Sequence, residues 1–194
     1  MSFPEVLQRV ATALEISGIP YMLTGSFASV YYGSPRSTQD IDLVIEADFE
    51  RLRSLGQSLP PDDYYFDPQA ALEALRRESL FNVIDHKTGW KIDMIIRKSR
   101  AFSREEFARR RSIAAEGTEV CIASPEDVVL AKLEWSKLGS SRRQIEDAAR
   151  ILQIQWLSLD KKYLQKWAAE LAIEPEWREV LQLAEIHGLN ISPE

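Results

Sequence analysis

The sequence has one cysteine, two histidines, no long apolar run and no excess of positive charge, and each shortage removes a class of protein. A lone Cys121 cannot close an intrachain disulfide, so a reducing cytoplasm is the expected setting. Within "TEVCIAS" it reads as a small buried hydrophobe, because neither His86 nor His187 is near it in sequence to activate a thiol. The two histidines have no metal-ligand spacing. No apolar stretch approaches the length that crosses a bilayer, and "MSFPEVLQRV" carries charge where a signal peptide needs an apolar run; neither membrane insertion nor export is expected. A net charge of -6 excludes a surface that is everywhere a trap for nucleic acid. Neither the P-loop string Gly-x-x-x-x-Gly-Lys-Ser/Thr nor the Rossmann string Gly-x-Gly-x-x-Gly occurs. Internal repeats and low-complexity segments are also missing.

What remains is an ordinary globular composition, 45% hydrophobic and 28% charged, in 194 residues. That length suits one domain with a sizeable core, or one domain plus a small helical appendage. The charge is uneven: "RKSRAFSREEFARRR", from Arg97 to Arg111, holds seven basic and two acidic residues and is the best candidate for meeting a polyanion.

Periodicity predicts a helix from Pro4, stopped by Gly18, then a short buried strand in "IPYMLTG" that enters a turn at Gly25. "SFASVYYG" reads as a short helix, with Ser26 also able to serve as its N-cap, and "SPRSTQ" as a polar loop. "DIDLVIE" alternates with period two, so Asp40, Asp42 and Val44 share one face and Ile41, Leu43 and Ile45 the other. Helices are expected from about Asp48 to Leu59 and around "PQAALEALRRE". "LFNVIDHKTGWKIDMII" reads as a hairpin turning at Lys87, Thr88 and Gly89, its second arm placing Lys91, Asp93 and Ile95 on one face. A basic helix and a strand near "TEVCIA" follow. From Ser124 the chain is all helix, with Pro125 in the first turn and Asp127 completing a variant capping box. Four tryptophans in that part, Trp135, Trp156, Trp167 and Trp177, are expected to anchor helix packing.

Asp40 and Asp42 stand about 6 to 7 Å apart on one strand face, where like charges are unfavourable unless a cation lies between them. If the Asp93 strand pairs with theirs, three carboxylates converge while Ile41, Leu43, Ile45, Ile92, Met94 and Ile96 bury the opposite face. Such hard oxygens suit Mg²⁺, and two ions roughly 3.5 to 4 Å apart would serve an in-line phosphoryl displacement. The Gly25-Ser26 turn brings backbone amides and a hydroxyl for an anionic phosphate. The alternative on these residues alone is an acidic strand face neutralised by Arg36 or Lys91.

Gly25-Ser26, thirteen further residues, Asp40-Ile41-Asp42-Leu43 and a later Asp93 in "KIDMII" resemble the signature of the nucleotidyltransferase superfamily related to DNA polymerase β. The likeness extends to its small bacterial branches, which include the abortive-infection type II toxins and the antibiotic nucleotidyltransferases. "PRSTQDIDL" is similar to their Arg-x-Thr-x-Asp-x-Asp lead-in, with Arg36 and Thr38 in place, and "SPEDVVLAKLEW" and "RRQIEDAARIL" to their helical tail, with Lys132 and Asp147. The resemblance implies an α/β core with a small mixed sheet flanked by helices, over residues 1–123, and a helical subdomain over 124–194. It implies Mg²⁺-dependent transfer of a nucleoside monophosphate from ATP or another NTP to an acceptor hydroxyl. In that reading Asp40, Asp42 and Asp93 are catalytic and hold one or two metal ions, while Gly25, Ser26, Arg36, Thr38 and Lys132 bind nucleotide. The acceptor stays open among RNA such as tRNA, a small molecule and a protein, with the basic stretch favouring RNA. A toxin with a cognate antitoxin protein is compatible with this branch. The rival from another class is a catalytically silent protein of the same fold that binds nucleotide or a partner.

Overall fold

The computed structural model describes residues 3–35, 38, 40–115 and 118–186. The order of elements is α1 (Phe3–Ile16), β1 (Tyr21–Thr24), α2 (Gly25–Tyr31), β2 (Asp40–Ile45), α3 (Phe49–Ser58), β3 (Tyr64–Phe66), α4 (Pro68–Arg77), β4 (Leu80–Asp85) and β5 (Lys91–Ile96). Then come α5 (Ala101–Ala108), β6 (Arg111–Ala115), β7 (Thr118–Ile122), α6 (Pro125–Gly139), α7 (Arg142–Gln155), a 3₁₀ turn (Trp156–Ser158), α8 (Lys161–Glu170) and α9 (Glu174–Leu183). Two compact units result: Met1–Phe27 with Ser37–Ser124, and Ala28–Arg36 with Pro125–Glu194.

Among the described residues the first unit holds one seven-stranded mixed sheet in the order β3-β4-β5-β2-β1-β7-β6. β2 and β5 run parallel in its middle, and β4–β5 is the antiparallel hairpin that the "LFNVID…KIDMII" pattern predicts. Alternation does what period two demands: Ile41, Leu43, Ile45, Ile92 and Met94 are fully buried, and Ile96 nearly so. α1 packs on β7, α4 on β4 and β5, and α3 lies against α1 and α4. Asp48 caps α3 by accepting from the Arg51 amide, and Asp67 caps α4 ahead of Pro68.

The hairpin is pinned by a buried carboxylate. Asp85 is 0% exposed, accepts hydrogen bonds from the Lys87 and Thr88 amides at 3.0 Å each, and is paired with Arg9 from α1. It therefore ties α1 to the turn that sets the β4–β5 register. Asp85→Ala is expected to cost on the order of 3 kcal/mol in urea unfolding, since charged hydrogen bonds are lost from a buried position. Asp85→Asn, which keeps an acceptor for the turn amides, should lose less; equal losses would mean that the turn bonds contribute nothing.

In the second unit α6 packs against α7, α8 and α9. Trp167 and Trp177 are buried there, but Trp135 is 57% exposed and Trp156 only half-buried, which corrects the expectation that all four tryptophans are packing anchors. α6 buries Val128, Val129, Leu130 and Leu133, and Trp135 falls on its outer side. Pro125 begins α6 as expected, and Asp127 accepts the Tyr163 hydroxyl at 2.6 Å, joining α6 to α8. Cys121, expected to be buried, is half-exposed on β7.

Candidate active site

β1 ends at Thr24 and the chain turns at once into α2, with Gly25 at φ +61° in the left-handed region that glycine adopts without penalty. The turn is pressed against β2: a Cβ built on Gly25 would lie 2.0 Å from Asp42 Oδ2. The Ser26 amide donates to the same oxygen at 3.4 Å. α2 begins at Gly25, so Ser26 lies inside its first turn and is not its N-cap. Gly25→Ala is thus expected to combine left-handed strain, about 1–2 kcal/mol, with a displaced Asp42. The unfolding midpoint should fall by on the order of 5 °C; an unchanged midpoint would show that the turn accepts a side chain.

Register brings the carboxylates together. Thr24, Asp42 and Asp93 are consecutive partners across β1, β2 and β5, and Asn82 of β4 lies opposite Asp93. The Asn82 side-chain amide donates to Asp93 Oδ1, which fixes that carboxylate from its far side. Asp40 begins β2, one step along the same face, with Lys91 as its partner on β5. The Lys91 ammonium lies 3.2 Å from Asp93 Oδ2 and 3.7 Å from Asp40 Oδ1. Partial burial pulls its pKa down, but the hydrogen bond to Asp93 and the charges of Asp93, Asp40 and Asp42 outweigh that, leaving it above the ordinary lysine value. Side-chain exposure grades from 15% at Asp93 to 55% at Asp40, so the cluster opens toward solvent at the Asp40 end.

Thr38 Oγ1 accepts from the Asp40 amide at 3.2 Å and so holds the start of β2. Trp90, just ahead of β5, meets Phe27 of α2 with ring centroids 5.6 Å apart, an apolar brace between the two segments that frame the carboxylates. Arg36 and His187 lie outside the described residues. Lys132 belongs to the second unit, where its ammonium is 2.9 Å from Asp147 Oδ2 and donates to Gln144 at 3.1 Å. Asp147 also accepts from Ser34 at 3.0 Å, and both charged side chains of the pair are about 5% exposed or less.

Among the described residues no three acidic, histidine or cysteine side chains are grouped as a ready-made metal site. The donor chemistry nevertheless fits a hard divalent cation: Asp42 and Asp93 are side by side, Asn82 orients one of them, and the missing Cβ of Gly25 leaves Asp42 Oδ2 its place. Asn82 and Trp90 were not singled out by sequence. Asn82 is recoverable once the hairpin turn is fixed, because counting back from it sets Asn82 opposite Asp93.

No family model matches the sequence, and no curated protein matches it either. Solved structures do. The solution structure of the antibiotic-resistance factor ANT(2'')-Ia is similar with a TM-score of 0.53 and 16% identity, over 96% of this chain and 100% of that one. The crystal structure of ANT(2'')-Ia in complex with adenylyl-2''-tobramycin is similar with a TM-score of 0.56 and 14% identity, over 88% of this chain and 97% of that one. The fold is that of the nucleotidyltransferases, as the Gly-Ser and Asp-x-Asp spacing implied. Among the described residues no helix is long and apolar enough to cross a membrane.

Proposed function

We propose that this protein is a Mg²⁺-dependent nucleotidyltransferase that moves a nucleoside monophosphate from an NTP such as ATP to an acceptor hydroxyl and releases pyrophosphate. The observation that carries the reading is the in-register pairing of Asp42 with Asp93 under the Gly25-Ser26 bend. Asp40, Asp42 and Asp93 would hold one or two ions, which when bound supply charge neutralisation for the phosphates and lower the pKa of the attacking hydroxyl. The chain's own part is positioning. Gly25 lets backbone approach the triphosphate, and Ser26 offers its hydroxyl to it. Asn82 holds Asp93 in one orientation for metal or for the acceptor proton. Arg36, Thr38 and Lys132 are the further nucleotide-binding candidates. Little covalent work is asked of protein groups, because phosphoryl transfer is accelerated mainly by alignment and electrostatics.

The acceptor is an RNA end, a small molecule or a protein side chain; the seven basic residues between Arg97 and Arg111 support RNA. A toxin restrained by a cognate antitoxin in the cytoplasm is consistent with this reading. Lys91 favours a second reading, since an ammonium already seated on Asp40 and Asp93 suits a protein that binds nucleotide or a partner without turnover. Incubation with each labelled NTP, Mg²⁺ and total cellular RNA or lysate separates the two. Label transferred to an acceptor supports the enzyme and identifies its substrate class; NTP binding without transfer to anything supports the silent protein.

A further inference from the structure

Lys91 stands where the sequence reading asks for a cation. It begins β5 directly opposite Asp40 and lies two residues before Asp93, so strand geometry puts its side chain on the carboxylate face. Its ammonium reaches across from one strand to the other, 3.7 Å from Asp40 and 3.2 Å from Asp93. The side chain is 42% exposed, so its four-carbon stem has solvent to swing into. A single positive charge offsets part of the repulsion among three aspartates; a divalent ion placed among them offsets more. The two cations cannot share the same oxygens at full strength.

We propose that Lys91 is a built-in competitor of the metal, which keeps the carboxylate site weak for a divalent cation until a nucleotide arrives to take up the displaced ammonium. The inference rests on the metal-site reading above and adds to it an order of events. Without nucleotide, metal binding has to break the Lys91 contacts to Asp40 and Asp93 and leave the ammonium in water. With nucleotide present, the triphosphate gives the freed ammonium an anionic partner beside the same strand. Metal and nucleotide then bind with positive coupling, each raising the affinity of the other by the same factor. A lysine suits this exchange better than an arginine held by paired bonds, because a flexible point charge leaves one partner for another without a fixed geometry.

The test is Mn²⁺ binding to the full chain, followed by the paramagnetic signal of free Mn²⁺ and by calorimetry, with and without a non-hydrolysable ATP analogue. Without nucleotide, Lys91→Met should bind Mn²⁺ about fivefold more tightly than wild type, a factor that matches one ion pair in partly exposed surroundings. The analogue should tighten Mn²⁺ binding markedly in wild type and much less in Lys91→Met. Lys91→Arg, which keeps the charge, should stay close to wild type in nucleotide-free affinity. Should Lys91→Met lower the unfolding midpoint too far for titration, Lys91→Gln takes its place, since a half-exposed polar replacement leaves the sheet intact. Equal Mn²⁺ affinity in wild type and the neutral variants overturns the role of Lys91 while leaving the metal site standing. Failure of wild type and variants alike to bind Mn²⁺, with or without the analogue, overturns the metal site itself and this inference with it.

Discussion

Asp42→Asn should reduce nucleotidyl transfer by about a thousandfold or more, a loss of the size seen when a charge-stabilising group is removed from a preorganised site. The protein should stay folded. Asp42 is the centre of the cluster, with Asp93 beside it on β5, Thr24 on β1, and the Gly25 turn and Ser26 amide against its Oδ2. Asparagine has the same shape and keeps an acceptor for that amide, so packing is preserved. What disappears is one negative charge from a face that has a surplus of them, and the unfolding midpoint should hold or rise slightly. Single-turnover transfer measured beside a melting curve separates the two effects. A purified variant with wild-type activity would remove Asp42 from the chemistry.

The largest effect on stability is expected in the second unit. Lys132→Met takes the positive charge away from Asp147, whose carboxylate is almost fully buried. Breaking a buried pair from one side costs about 3–5 kcal/mol, because the remaining charge stays out of water. In a chain of this size that amounts to a fall in melting temperature of roughly 10 °C. The control is the double replacement Lys132→Met with Asp147→Leu, which removes both desolvation penalties and should recover most of the loss. Urea unfolding of the two variants measures the difference directly. If the single variant is as stable as wild type, the pair is not a structural tie.

Much of the site could be read before any coordinates, for a physical reason. A strand with one buried face announces its register, since a slip of one residue would put Ile41, Leu43 and Ile45 in water and Asp40 and Asp42 in the core. The same pattern in "KIDMII" fixed the phase of β5, and the tight turn at Gly25 follows from glycine before a helix. The elements that escaped were those without such a pattern. β3 is three residues long at the sheet edge, with Tyr65 half-exposed. β6, at the opposite edge, has Arg111, Ser112 and Ala114 exposed and carries no alternation to betray it. The parallel pairing of β2 with β5 was a conditional expectation, because nothing local specifies which distant strand will be a neighbour. Lys91 illustrates the remaining gap: sequence offered it as a partner for aspartate, but only register shows one ammonium spanning two strands.

The parallel pairing also governs when the carboxylate pair comes into being. Asp42 and Asp93 are neighbours in space but about fifty residues apart along the chain, and closing so long a loop has to precede any reward from the contact. During synthesis β1, β2 and the Gly25 turn emerge ahead of β5, so Asp42 stands without its neighbour Asp93 until the later strand arrives. The pair is completed only when the β4–β5 hairpin docks its second arm along β2.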